Sequence, residues 1–365
     1  MAKRKTVIKW SIIVLIGLII SIFSFGYWFL NLLPPPVITK EELRQTLPSD
    51  LPYLTKNQIP HRGKILAVVT SAAIMGESEK STGYELTELA RAYYVFQANG
   101  FEVEVASPLG GKPPVVIDGD DMKEFDYAFL NDAEAQDKVN HSIAVQNIVP
   151  GNYEAVFFVG GKGAMYDFPD NEYIQSIIKA SYESGKVIGA VCHGPAALVN
   201  VRLANGQSLL HNKTVSSFTN EEELFLTAEA RDIFPFLLQD KLIEQGAIFD
   251  KGAMYLNQVS SDGKLVTGQN PWSTWEAAES VIRQIGYEPK ERKITAEENA
   301  ITVLKTYETD GYTKAYEVID HFCSTNPRSI DRELLAVHSI VAAMGLDISK
   351  SVELIQLLRF SNSFI

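Results

Sequence analysis

Cysteine is scarce in this chain: two in 365 residues, Cys192 and Cys323. Two cannot build a disulfide framework, and with no C-x-x-C pair they cannot form a paired-cysteine zinc site. A basic surplus is missing as well. Lys and Arg number 33 against 45 Asp and Glu, a formal charge of -12. Nothing supplies a basic patch for phosphates, which argues against a nucleic-acid partner. What the chain does have is apolar residues, at 46%. That is enough for one large domain, or one domain with a smaller appendage.

Charge is also absent from Trp10 to Leu33, where Ile, Leu, Phe and Trp dominate. That length crosses a bilayer as a helix, with Tyr27 and Trp28 suited to the far interface. No A-x-A cleavage pattern precedes Pro34-Pro35-Pro36, so the run reads as an uncleaved anchor rather than a signal peptide. Residues 1–9 carry Lys3, Arg4, Lys5 and Lys9, which predicts a cytoplasmic N-terminus and the body of a single-pass membrane protein outside. Residues 34–62, with mixed charge and several prolines, read as a linker.

The body then alternates. Lys64–Thr70, Phe101–Ala106, Tyr153–Val159 and Val187–Val191 read as strands, with helical patterns at 84–99 and 171–184 between them. The region from Pro108 to about Gly151 reads as a turn followed by helical excursions. Further strands are expected at Thr214–Phe218, Met254–Val259 and Leu265–Thr267, and a helix at 273–285 closes the domain. Strand, glycine turn, helix, strand is the order of an α/β parallel sheet with right-handed crossovers. Beyond residue 288 the texture turns helical. Thr295 to Glu298 form a capping box, and helices are expected over 300–322, 333–344 and 349–360. This appendage, residues 289–365, carries no catalytic constellation. His321 and His338 read as helix-face residues and Cys323 as structural. Leu354, Ile355, Leu357, Leu358 and Phe360 could dock on the domain, on a second copy in a homodimer, or on a membrane surface.

The stretch that organises the chain is Lys186 to Leu198. A buried strand stops at Cys192, and Gly194-Pro195-Ala196-Ala197-Leu198 opens a helix, with Pro195 suited to its first turn. A sulfur lifted above a sheet edge at a helix N-terminus should have a depressed pKa and a larger thiolate fraction. Cys192 is therefore the candidate nucleophile, with His193 beside it.

Six fragments occur in order around that residue: Thr70-Ser71; Thr82-Gly83 followed by Glu88; Ser107-Pro108-x-Gly110-Gly111; Gly160-Gly161-x-Gly163; Ala190-Val191-Cys192-His193-Gly194-Pro195; and Thr267-Gly268-Gln269-Asn270-Pro271. Together they resemble the ThiJ/PfpI superfamily, within the class I glutamine amidotransferase-like fold, over roughly residues 63–287. The branch they resemble most is that of the larger members, the glutathione-independent glyoxalase (glyoxalase III) and holding-chaperone group. The resemblance implies a flavodoxin-like parallel sheet sandwiched by helices, over residues 63–288, with Cys192 on a nucleophile elbow.

The resemblance also implies roles for particular residues. Glu88 matches the acidic residue placed beside the cysteine. A carboxyl so close to a thiolate should hold its proton by desolvation and like-charge repulsion, and can then shuttle protons. Glu85, on the same segment, is expected to face outwards. The partner of His193 would be Glu223, where a carboxylate fixes the imidazole tautomer; the run Glu221-Glu222-Glu223 leaves that assignment open by a residue or two. Gly161 and His193 backbone N–H groups are candidates for an oxyanion hole. Lys162 stands where the larger members often have histidine, and a lysine there could favour an anionic substrate or lower the thiol pKa further.

The activity this implies is conversion of methylglyoxal or glyoxal to a hydroxy acid, or the related removal of glycation adducts from proteins, without metal, cofactor or glutathione. Two other readings stand beside it: a stress-linked holding chaperone or redox sensor, and a cysteine peptidase or amidase of the same superfamily.

Overall fold

A computed structural model describes residues 15, 20, 23, 24, 26–36, 38–119 and 121–365. Half of the expected anchor over 10–33, and all of residues 1–9, lie outside the described residues. Among those described, no helix is long and apolar enough to cross a membrane. The chain divides into two compact units, residues 38–293 and residues 1–37 with 294–365.

The larger unit is built on a seven-stranded sheet. Its strands are β1 (Gly63–Val68), β2 (Phe101–Ser107), β3 (Ile143–Ala144), β4 (Ala155–Phe158), β5 (Val187–Val191), β6 (Val259–Asp262) and β7 (Leu265–Gly268). Across the sheet the order is β6-β7-β5-β4-β1-β2-β3. The run β2-β1-β4-β5-β7 is parallel and follows the doubly wound, flavodoxin-like order, whose crevice lies at the carboxyl ends of the strands. The β6–β7 hairpin is antiparallel and tops off one edge.

The central strands are apolar throughout because both faces are covered. Leu66, Val156, Phe158 and Ile188 pack with Ile174, Ile177 and Ile178 of α4 (Glu172–Glu183). On the other face lie α1 (Leu86–Ala98) and α6 (Thr274–Ile285), where Phe96 of α1 meets Phe157 edge-on at 5.4 Å. Helices α2 (Glu124–Asn131) and α3 (Ala133–Asn140) follow β2 and its turn, and α5 (Asn220–Leu226) lies between β5 and β6.

Some expected boundaries move. Thr214-Val215 leaves the main sheet and pairs with Ile248-Phe249. The strand expected from Met254 begins instead at Val259, because Ala253 to Leu256 form a turn closed by the Leu256 N–H on the Ala253 carbonyl, at 3.2 Å. The segment expected as a linker is packed from Ile38 onwards: Leu51 and Tyr53 are buried, Asn99 Nδ2 donates to Tyr53 Oη at 3.2 Å, and Lys290 Nζ donates to the Tyr53 carbonyl at 2.6 Å.

The smaller unit holds α7 (Ala296–Asp310), α8 (Tyr312–Thr325), α9 (Arg332–Met344) and α10 (Ile348–Asn362). The single helix expected over 300–322 is split at Gly311, whose φ of +84° suits glycine and turns the chain. Leu304, Ile319, Cys323, Leu335, Leu354 and Leu358 are buried. Cys323 lies against the Arg332 guanidinium, at 3.9 Å, and Asn362 Nδ2 donates to the Leu32 carbonyl. His338 is buried and His321 exposed.

Candidate active site

The site forms where β4, β5 and β7 end. The Cys192 backbone N–H donates to the Gly268 carbonyl at the end of β7, at 2.9 Å, and the Cys192 carbonyl accepts from the Phe218 N–H at 3.0 Å. Pinned on both sides, Cys192 takes a φ of +58°. For a non-glycine residue this strain costs about 1 kcal/mol or more and persists only where surroundings enforce it. The bend sends the sulfur away from the strand direction, as a nucleophile elbow requires.

Beyond the elbow the structure departs from the helix read at Gly194. The segment Gly194–Leu198 is a five-residue 3₁₀ turn, too short to accumulate a useful dipole. Burial raises the Cys192 thiol well above its ordinary pKa, and Glu88 beside it raises it further. The resting thiol keeps its proton, contrary to the depressed pKa expected from sequence. Reactivity must come from a base, not from a standing thiolate.

That base is adjacent. His193 Nδ1 lies 3.3 Å from Cys192 Sγ, and its Nε2 lies 2.6 Å from Glu223 Oε2. The ring is buried, packing on Phe218 at 4.7 Å and Phe234 at 6.1 Å between centroids. With Glu223 accepting from Nε2–H, Nδ1 is left as an acceptor for the thiol proton. Such a chain resembles a triad in its logic, nucleophile to base to orienting carboxylate.

The three consecutive glutamates separate completely. Glu221 is exposed and pairs with Lys251. Glu222 is buried but occupied: its Oε1 accepts from Tyr255 N at 2.8 Å, Asn270 Nδ2 at 2.9 Å and Gln269 Nε2 at 3.0 Å. Its Oε2 accepts from Thr219 N and Oγ1, both at 2.9 Å. Glu222 thus bolts the start of α5 to the loop after β7, and Glu223, next along the helix, points at His193. Sequence reasoning missed this bolt, although Gln269 and Asn270 stood in a quoted fragment; nothing in the sequence pointed to Tyr255.

Glu88, in the first turn of α1, is fully buried. Its Oε2 accepts from the Gly160 N–H at 2.7 Å. Burial, then the nearby Glu85 carboxyl, raises its pKa well above its ordinary value, which favours the protonated acid beside the thiol. Gly160 is needed for this approach: a Cβ there would lie 2.6 Å from Glu88 Oε2 and 2.8 Å from the Cys192 Cβ. Among the described residues, the backbone N–H groups of Gly161 and His193 donate to no protein acceptor, and so could meet a developing oxyanion.

Glu85 does not face outwards as expected. It is half-buried, because Tyr84-Glu85 pairs with Val115-Val116 as a short parallel ladder. Burial, then Asp121 and Asp118, pushes its carboxyl up to about 8, partly offset by Arg91. Lys162 reaches sideways: its Nζ donates to Thr227 Oγ1 at 2.9 Å and lies 4.0 Å from Glu223 Oε1. Asp167, also missed, accepts from Thr70 Oγ1 at 2.8 Å and the Ser71 N–H at 2.7 Å, and so fixes the loop after β1.

Residues 80–284 match the DJ-1/PfpI family model. The chain belongs to the DJ-1/PfpI family. Among relatives of this DJ-1/PfpI chain, a glutathione-independent glyoxalase of Schizosaccharomyces pombe is 30% identical over 213 residues, covering 56% of this chain and 89% of the relative. Glyoxalase 3 of Candida albicans is 28% identical over 236 residues, covering 60% of this chain and 97% of the relative. Among solved structures, glyoxalase III from Candida albicans superposes with a TM-score of 0.57 at 26% identity, covering 62% of this chain and 98% of that one. The 24 kDa rapid encystment protein of Francisella tularensis gives 0.59 at 33% identity, over 62% and 100%. The helical unit and N-terminal run of this DJ-1/PfpI member lie outside its family match.

Proposed function

We propose that this DJ-1/PfpI member converts small α-oxoaldehydes such as methylglyoxal to 2-hydroxy acids without glutathione. The observation that carries the reading is a buried Glu88 carboxyl on one side of Cys192, its pKa raised by burial, with the His193–Glu223 pair on the other. The glyoxalase names of relatives near 30% identity support the same chemistry.

In this scheme His193 takes the thiol proton as Sγ attacks the aldehyde carbon, and Glu88 delivers its own proton to the carbonyl oxygen. A thiohemiacetal results. Glu88, now ionised, removes the hydrogen from that carbon while the imidazolium protonates the neighbouring ketone oxygen, giving an enediol. Glu88 returns the proton to the former ketone carbon and His193 takes back the hydroxyl proton, leaving a 2-hydroxyacyl thioester. Water then cleaves the thioester, restoring the thiol and the Glu88 acid and releasing a carboxylate and one proton. The rearrangement is internal, so no external oxidant or reductant enters. Methylglyoxal consumption and lactate formation by the purified protein test it. Turnover in wild type and none above background in Cys192→Ala is the expected result; equal rates would end the reading.

The uncharged run 10–33 behind a basic start supports membrane tethering with the site outside the cytoplasm. Carbonate extraction of membranes and protease accessibility in spheroplasts test this. Release into the soluble fraction would remove it.

A further inference from the structure

We propose that Lys162 is a fourth member of the relay at Cys192, a positioning residue that keeps Glu223 ionised and so holds His193 in the tautomer whose Nδ1 can take the thiol proton. The inference rests on the reading of Cys192 as a nucleophile and not on which carbonyl it attacks.

Glu223 is 5% exposed. Its Oε2 is engaged by His193, whereas no hydrogen-bond donor among the described residues reaches its buried Oε1. A buried carboxylate with one bare oxygen is unfavourable unless a countercharge stands close. Lys162 Nζ stands 4.0 Å from that oxygen. Its position is set by the hydrogen bond to Thr227 Oγ1 at 2.9 Å. Thr227 in turn donates its N–H to the Glu223 carbonyl, at 2.8 Å, where α5 ends. Lysine and glutamate are thereby tied to one helical turn, so the ammonium tracks the carboxylate.

The other ionisable groups around Glu223 cannot supply that charge. On its own helix, Glu221 and Glu222 are acidic. From elsewhere, Tyr166 and Tyr255 face it with hydroxyls whose pKa values burial raises, and both stay neutral at physiological pH. His193 is the group being oriented, and Cys192 and Glu88 beyond it are protonated acids. Among the described residues, no other lysine or arginine forms an ion pair with Glu223. If Glu223 were to take up a proton, its O–H would donate to Nε2, the ring proton would move to Nδ1, and the thiol would lose its acceptor. The lysine in the Gly160-Gly161-Lys162-Gly163 turn thus keeps the acceptor nitrogen of His193 facing the thiol.

The test is the pH dependence of Cys192 alkylation by iodoacetamide in the full-length protein, read by mass spectrometry on the peptide carrying Cys192. Lys162→Met should move the midpoint up by about one pH unit, whereas Lys162→Arg, which keeps the charge, should stay near wild type. A purely structural role would slow or speed alkylation at every pH without moving the midpoint. An unmoved or lowered midpoint in Lys162→Met overturns the proposal. Methylglyoxal turnover is measured alongside: its absence in wild type would end the glyoxalase reading, while the alkylation profile alone decides the relay.

Discussion

The two cysteines sit in different units, and both are buried: Cys192 is 5% exposed and Cys323 is 1%. Burial raises both thiols, so neither is a standing thiolate. What separates them is backbone and neighbours. Cys323 lies in the last turn of α8 beside a cation, Arg332, which cannot accept a proton. Cys192 is thrown out of line by a left-handed φ and faces an acceptor nitrogen at 3.3 Å on one side and a protonated acid on the other. A reactive cysteine here is defined by a proton acceptor held in place, not by exposure or a low resting pKa.

The sharpest way to break this contrast is to remove each sulfur in turn. Cys192→Ala should cut turnover by about 10³-fold or more, because the covalent route is lost. Cys323→Ala should leave kcat/KM within about twofold. Methylglyoxal kinetics on both variants check this, and comparable losses would mean the contrast is false.

A second cut goes to the frame that makes Cys192 different. Glu222 accepts from five donors and touches neither sulfur nor imidazole. Glu222→Ala strands buried N–H groups of Gln269, Asn270, Tyr255 and Thr219, and should cost about 3 kcal/mol of stability. The denaturant midpoint reads this directly. Glu223→Gln instead keeps the frame and the burial but weakens the base. Turnover should drop by about 10²-fold with the denaturant midpoint little changed, leaving Cys192 closer to Cys323 in behaviour. A Glu222→Ala variant as stable as wild type would dissolve the division of labour between these neighbours.

Much of this site was legible because its parts lie in short local signals. The strand that stops at Cys192, the adjacent His193 and the glycine turn at 160–163 each announce themselves within a few residues. The parallel sheet was legible for the same reason, as strands buried on both faces are continuous apolar runs. Four things were not. The helix after the elbow is a single 3₁₀ turn, and five residues do not distinguish the two. The state of the thiol depends on total burial and on Glu88, which comes from helix α1, 104 positions upstream. Glu222 and Glu223 are chemically identical neighbours on one helix; only Tyr255, Gln269 and Asn270, brought in by the fold, decide which is bolt and which is relay. Glu85 was misjudged similarly, since its partner strand Val115-Val116 carries no signal of its own.

The finest contrast concerns the negative charge around Cys192, and Glu85 tests it. Its pKa of about 8 in the folded chain lies above the ordinary glutamate value, so between about pH 4.5 and pH 8 the folded protein holds a proton that the unfolded chain has released. Stability contributed by this group is therefore present at low pH and lost as pH rises across that window. Glu85→Gln removes the loss. The variant should match wild type near pH 4.5 and be more stable by about 1 kcal/mol at pH 8, a modest figure because the half-buried carboxylate can turn towards solvent once ionised. Chemical denaturation at the two pH values measures the gap. Taking a negative charge from the surroundings of Glu88 and Cys192 should also lower the pH at which Cys192 alkylates, while the alkylation of Cys323, in the other unit, stays where it was. A gap of opposite sign, or a shift shared by both sulfurs, would show that Glu85 does not belong to the electrostatic surroundings of Cys192.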